Sequence, residues 1–395
     1  MTGRFEDQVV ITGLGQSPLG RRLGRDDLEL TASACRAAVE DAGLSMRDID
    51  GLASFPGAAD LSRRSVTGPG LWEVQDMLGL ELNWYSAGLE VASQLGAIVA
   101  AGLAVAGGLA RHVLVFRTVT ESTGQGTGRR RGVEVPVRVT GQNQWLLPFD
   151  VVSGANRMAL YAQRHMHEYG TTREQLGSLA VTFRANAARN PNAVYRDPLT
   201  LAEYLDARMI STPLCLYDCD VPMDGSTAVV VSSVDVASDT PHPAVGIGAV
   251  GVALRSRPGW DQWVDLATVA GRDAAAQLWS RTDLVPGDVD VAELYDGFSI
   301  LVLLWLEALG FCGPGESGAF VEGGVRIGPG GELPLNTHGG QLSAGRMHGF
   351  GLIHEACLQM RGAAGDRQVA DAEVALVSNG GLGPLAGCLL LTRHR

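Results

Sequence analysis

Two periods of apolar and polar positions run through this chain, and they predict alternating helices and strands. Short apolar runs bounded by glycine or polar residues predict strands over 9–15 (VVITGLG), 112–116 (HVLVF), 228–233 and 372–377. Apolar residues at helical spacing predict helices over 27–41, closed by Gly43, and over 152–169, 172–188 and 272–279. A further helix over 351–361 carries Leu352, Ile353, Ala356, Cys357 and Met360 on one face. The stretch 87–109 is almost uncharged and rich in Ala and Gly. As a helix it is too weakly amphipathic for a surface, so its place is between two sheets. The segment with Tyr195, Tyr204 and Tyr217 reads as a lid over a pocket.

This pattern repeats. Asp48-Ile49-Asp50-Gly51-Leu52 finds an echo in Asp288-Val289-Asp290-Val291-Ala292, each as a capped turn leading into a strand. The helix 87–109 and strand 112–116 are echoed by the helix 351–361 and strand 372–377. Two such halves predict an α/β duplication of five layers, α-β-α-β-α. The first half takes residues 1–117 and 220–245, a loop and lid insertion takes 118–219, and the second half takes 246–395.

Composition narrows the chemistry. All 31 basic residues are arginine, so a lysine Schiff base is excluded, and phosphates must be held by arginines, helix ends or backbone amides. A net charge of -12 argues against nucleic acid, which needs a basic face. No apolar run reaches membrane length, and residues 1–20 lack the pattern of a secretory signal, so the expectation is a soluble, cytoplasmic protein. The six cysteines are scattered among apolar neighbours; Cys215 and Cys219 lack a second ligand pair for zinc. The row Arg129, Arg130, Arg131 lies in a polar, Gly-rich stretch that reads as a solvated loop, a partner contact or a landing site for nucleotide phosphates.

The richest chemistry lies in 334–362, PLNTHGGQLSAGRMHGFGLIHEACLQMRG. A glycine-broken loop runs directly into a helix and brings Asn336, His338, Ser343, Arg346 and His348 to its N-terminus. Unpaired backbone N–H groups there would favour an oxyanion or a thioester carbonyl. Glycines 339, 340, 345 and 349 permit close backbone approach. A tight turn with satisfied polar side chains, and a His348 that only caps the helix, remain open as the plainer reading.

Taken together, the duplicated halves, the Asp224-Gly225 turn, Glu293-Leu-Tyr-Asp-Gly-Phe-Ser299, the Asn336–Gly340 loop and the glycines 380–383 resemble the thiolase superfamily. The likeness is to its lipid-transfer-protein branch, related to the sterol-carrier-protein thiolases. The chain departs from a working thiolase at its chemistry. Trp84-Tyr85-Ser86-Ala87-Gly88 stands where the nucleophilic cysteine belongs, and Gly345-Arg346-Met347 stands for Gly-His-Pro. Ser378-Asn379-Gly380-Gly381 replaces the second cysteine, and Tyr295 replaces the branch's histidine.

These departures resemble the steroid side-chain retro-aldolases, and that resemblance implies cleavage of a carbon–carbon bond in a β-hydroxyacyl-CoA thioester. Tyr295 is then the acid/base, and His348, His338 and Arg346 are candidates to lower its pKa from the usual ~10. Phe350 falls where a second tyrosine is expected. Asn336, Arg346, Ser343, Gly381, Ser86 and Tyr85 would line the thioester site. The resemblance implies no separate cofactor, coenzyme A being part of the substrate. It also implies a homodimer and a separate OB-fold/zinc-ribbon partner. Two other readings stay open: a non-catalytic acyl-CoA-binding scaffold, and an acyltransferase using Ser86.

Overall fold

A computed structural model describes residues 3–56, 64–88, 93–126, 139–141, 143–151, 153–255, 270–380 and 385–394. Its strands are β1 (Val9–Gln16), β2 (Gly51–Ser54), β3 (Trp84–Ala87), β4 (His112–Thr120), β5 (Met209–Ser211), β6 (Leu214–Cys215), β7 (Asp224–Ser233), β8 (Val245–Leu254), β9 (Val291–Glu293), β10 (Val374–Asn379) and β11 (Leu385–Arg393). Apart from the β5/β6 hairpin they form one mixed sheet in the order β3-β2-β4-β7-β1-β8-β11-β10-β9. Read outward from the antiparallel β1/β8 pair, β7-β4-β2 on one side answers β11-β10-β9 on the other. The duplication is thus built into strand order.

Alternation within the strands sets the layers. Val113 and Val115 of β4, with Ala375 and Val377 of β10, face inward onto the helices Ser93–Ala106 and Phe350–Arg361, which form the middle layer. Leu114 and Phe116 face outward onto the helices Asp27–Asp41 and Leu71–Leu78. Leu376 of β10, with Cys388 and Leu390 of β11, faces the opposite way onto the helices Ala270–Trp279 and Ser299–Leu309. Between β4 and β7 come the helices Gly154–Tyr169 and Arg173–Ala187 and the β5/β6 hairpin, packed on that second outer layer. No helix among the described residues is long and apolar enough to cross a membrane.

The aspartate echo has a physical cause. Asp50 accepts from the backbone N–H groups of Arg111 and His112 at 2.9 Å and so pins the start of β4. Asp290 accepts from Glu373 and Val374 at 2.8 and 2.9 Å and pins the start of β10. Asp48 and Asp288 cap the turns before them through Ser45 N and Val285 N. Asp290→Ala is expected to cost on the order of 1 kcal/mol for each bond lost, read as a lowered urea midpoint at unchanged slope.

Two expectations are corrected. The helix expected from residue 87 gives way to strand β3, with Leu52 of β2 paired to Tyr85 and Ala53 to Ser86; the helix is described only from Ser93. Tyr204, expected in a lid, is fully buried and donates its hydroxyl to Asp218 at 2.8 Å, as core tyrosines do. The arginine row at 129–131 lies outside the described residues.

Candidate active site

The loop 334–349 is held against the end of β9 by backbone-directed side chains. Asn336, fully buried at a φ of +44°, accepts from Leu294 N at 2.7 Å and donates to Leu294 O at 2.9 Å. This clamps the residue before Tyr295, whose own N–H donates to Ser378 Oγ at 2.9 Å. Asp296, fully buried, accepts from Gln341 N and Leu342 N at 2.9 and 3.2 Å. The loop comes so close that a Cβ on Gly340 would stand 2.0 Å from the Asp296 carboxylate, and its φ of +60° also favours glycine. Asn336, expected among the residues lining the thioester site, thus uses both amide atoms on Leu294, reaches the Asp296 carboxyl as well, and positions Tyr295.

Half-buried, the Tyr295 ring folds over Gly297, where a Cβ would lie 3.4 Å from the phenol oxygen. The Gly297 carbonyl accepts from Asp220 N at 3.2 Å, which brings a carboxylate beside the phenol. Arg346 Nη1 donates to Asp220 Oδ1 at 2.9 Å, and its Nη2 donates to Glu121. His348 Nδ1 accepts from Arg117 Nη2 at 2.7 Å, and its Nε2 faces Glu121 Oε1 at 3.6 Å. Arg117 is fully buried and also donates to the carbonyls of Phe55 and Thr67, both at 3.1 Å.

Burial and these charges divide the titrations. Burial lifts the Asp220 carboxyl to about 7; Glu121 and Asp296 add to the lift and Arg346 opposes it. Burial likewise lifts Asp296 to about 6 against its backbone donors. The Tyr295 phenol is pushed above its ordinary value by burial first and Asp220 next, with Arg346 and Gln341 pulling the other way. His348 is pushed well below its ordinary value by burial, Arg117 and Arg346, so it is neutral. Arg117 falls to about 10 through burial and stays charged at neutral pH. Burial would also lower Arg346, but Asp220 and Glu121 outweigh it.

The other expected residues lie elsewhere. His338 donates toward Glu293 Oε2 at 3.0 Å and lines a separate cavity of about 140 Å³ with His354, Glu355 and Arg367. Burial depresses it, but the bond and charge of Glu293 prevail and raise it. Ser343 is buried and accepts from Arg184 Nε at 3.0 Å, so its hydroxyl braces the loop. Phe350 is fully buried among Met347, Leu352 and Ile353 in the middle layer. Tyr85, 71% exposed, and the half-buried Ser86 sit on edge strand β3. Gly381 lies outside the described residues. The helix Phe350–Arg361 does not present all its first N–H groups either, because Gly349 N is spent on Gln341 Oε1 and Phe350 N on Met347 O.

Sequence reasoning missed Asp220, Glu121, Arg117 and Gln341. Their one signal in the sequence is that each stands within a few residues of a recognisable turn or loop: Asp220 before Asp224-Gly225, Gln341 after Gly339-Gly340. No group of three or more His, Cys, Asp or Glu side chains among the described residues is placed to hold a metal.

Comparison with known proteins agrees with this frame. A family model described as thiolase C-terminal domain-like matches residues 254–393. The chain is 36% identical to a steroid side-chain-cleaving aldolase of Thermomonospora curvata, over 97% of each. It is 34% identical to a 17-hydroxy-3-oxo-4-pregnene-20-carboxyl-CoA lyase of Mycobacterium tuberculosis, over 97% of this chain and 99% of the other. A solved structure named Ltp2-ChsH2(DUF35) aldolase superposes with a TM-score of 0.86 at 34% identity, covering 98% of each chain. The chain belongs to the thiolase-like family, in the branch that holds the sterol carrier protein thiolases and the steroid side-chain-cleaving aldolases. The two relatives named here are carbon–carbon lyases.

Proposed function

We propose that this protein cleaves the side chain of a steroid acyl-CoA by a retro-aldol reaction at a β-hydroxyl, releasing a ketone and a short acyl-CoA. The Asp220 carboxylate removes the proton of the β-hydroxyl. As its oxygen becomes a ketone, the bond between the α- and β-carbons breaks and its electron pair passes into the thioester enolate. The neutral Tyr295 phenol protonates the α-carbon, and protonated Asp220 then returns its proton to the Tyr295 oxygen. One proton has moved from oxygen to carbon and both side chains are restored. The observation that carries this reading is the pairing of a carboxyl at about 7 with a phenol held protonated, in one buried site around Arg346. Two such groups pushed apart serve as base and acid without a nucleophilic cysteine.

The purified protein, alone and with any co-expressed neighbour, is given 17-hydroxy-3-oxo-4-pregnene-20-carboxyl-CoA and assayed by mass spectrometry for ketone and short acyl-CoA. Both products at equal rates are expected. Tight binding without turnover under any pairing would instead favour a scaffold.

We also place a second copy of this chain on edge strand β3. The strand ends the sheet, Tyr85 on it is 71% exposed and Trp72 beside it 75% exposed, and together with Leu71 and Leu80 they line one open groove. An exposed strand edge flanked by large apolar side chains is a natural pairing surface. Sedimentation at micromolar concentration is expected to give a dimer, and Tyr85→Glu with Trp72→Glu to give a monomer; a wild-type monomer would overturn this. A further partner protein is supported by the Ltp2-ChsH2(DUF35) aldolase structure, whose name couples two components, and we take that partner to be the expected separate OB-fold/zinc-ribbon chain. Co-purification from the native host tests it.

A further inference from the structure

Buried polar atoms are almost always paired, so an unpaired donor beside a reaction site points to a missing acceptor. Among the described residues four buried side-chain N or O atoms lack a hydrogen-bond partner, and two of them, Gln341 Nε2 and Arg346 Nε, belong to this one loop. Gln341 is 2% exposed. Its orientation is fixed at both ends: its N–H donates to Asp296 Oδ1 at 2.9 Å, its carbonyl accepts from Val221 N at 2.9 Å, and its Oε1 accepts from Gly349 N at 3.1 Å. With Oε1 committed to Gly349, the NH₂ end is turned away from that bond and lies near the Tyr295 phenol without a hydrogen-bond partner of its own.

Arg346 is held in register with it. The Val221 carbonyl accepts from Arg346 N at 2.8 Å, so one residue of extended chain, next to Asp220, ties both backbones together. Asp220 and Glu121 each take one bond from the two terminal nitrogens of Arg346, and Nε is its one nitrogen left without a partner. Two fixed donors, one neutral and one cationic, thus border the place where Tyr295 and Asp220 meet. Donors fixed before reaction act on developing negative charge without the reorganisation that water would need.

We propose that Gln341 Nε2–H and Arg346 Nε–H together form an anion hole that holds the thioester oxygen as it becomes the enolate oxygen. This rests on the retro-aldol reading for its substrate, but its test does not need turnover. Two unreactive coenzyme A analogues serve as probes: a neutral acyl thioether, and a nitroalkyl thioether whose nitronate anion mimics the enolate. Calorimetry on the wild-type protein is expected to show the nitronate bound at least ~10²-fold more tightly than the neutral analogue. In Gln341→Met that preference is expected to fall by ~10²-fold or more, the usual loss for one anion-hole donor, while the neutral analogue binds within a few fold of wild type.

Gln341→Leu is neutral and likewise removes the donor without adding charge, so it gives a second reading if the Met variant does not fold. A wild-type protein with no nitronate preference overturns the proposal by itself. So does a folded variant at position 341 that keeps the preference. If the wild type cleaves the steroid thioester yet the preference survives substitution, only the anion hole is lost. If the wild type fails to cleave but shows a preference that depends on Gln341, the anion hole stands and the retro-aldol reading falls.

Discussion

Tyr295→Phe is expected to leave the fold and acyl-CoA affinity nearly unchanged and to lower turnover by ~10²–10⁴, the range for loss of a general acid. The change removes one oxygen from a ring whose position is set by other contacts. Tyr295 N is held by Ser378, and Asn336 holds the preceding residue through both amide atoms. Phenylalanine therefore keeps the same packing, and the stability cost is limited to ~1 kcal/mol for a hydrogen bond. Burial and Asp220 keep the phenol protonated across neutral pH, so tyrosine here supplies a proton and does not begin as a base. Single-turnover cleavage against thermal stability separates the two roles. A Phe variant that cleaves at the native rate and melts slightly lower would assign Tyr295 to structure and leave Asp220 without its acid.

Much of the frame was legible because its causes are local. Asp50 and Asp290 each stand at a fixed distance from a turn and a strand, and each pins the strand beside it in the sheet, so the echo in sequence reports an echo in hydrogen bonding. The Ala/Gly stretch could be placed in the interior from its lack of a polar face, and its residues Leu95, Ile98 and Ala101 are buried against strands of both halves of the one large sheet rather than between two separate sheets. Strand β3 escaped because WYSA is four residues long and leads into an apolar run, which hides its period of two.

The site was less legible because polarity alone does not say whom a side chain serves. Asn336 and Ser343 looked like substrate ligands and His338 like a neighbour that tunes Tyr295, yet tertiary approach gives them backbone, Arg184 and Glu293 as partners. Phe350 looked like a vacated catalytic position and is packed in the middle layer. Asp220 passed unnoticed for the converse reason: its special property is burial beside Glu121 and Asp296, residues 99 and 76 positions away in sequence, which no local pattern encodes.

Asp220→Asn is expected to lower kcat/KM by ~10²–10⁴ and to remove the acid limb of its pH profile. In the wild type only the carboxylate form can take the β-hydroxyl proton, so with a pKa of about 7 the rate falls roughly tenfold for each pH unit below that value. Stability should move in the opposite direction. A carboxyl whose folded pKa is raised binds its proton more tightly when folded, so its contribution is full below the ordinary carboxylate range and is lost as pH rises through about 7. The wild type should therefore lose stability between pH 4 and 7 from this residue, and the Asn variant, which has no proton to lose, should lack that slope. Arg346 keeps Glu121 as a partner in the variant, so the guanidinium is not left unpaired. Urea titrations at pH 5 and 8 give the stability slopes, and kcat/KM across the same range gives the limb. An Asn variant with native kcat/KM and an unchanged acid limb would remove Asp220 from the reaction. Loss of the stability slope without loss of rate would mark it as a buried carboxyl that only shapes the field around Arg346.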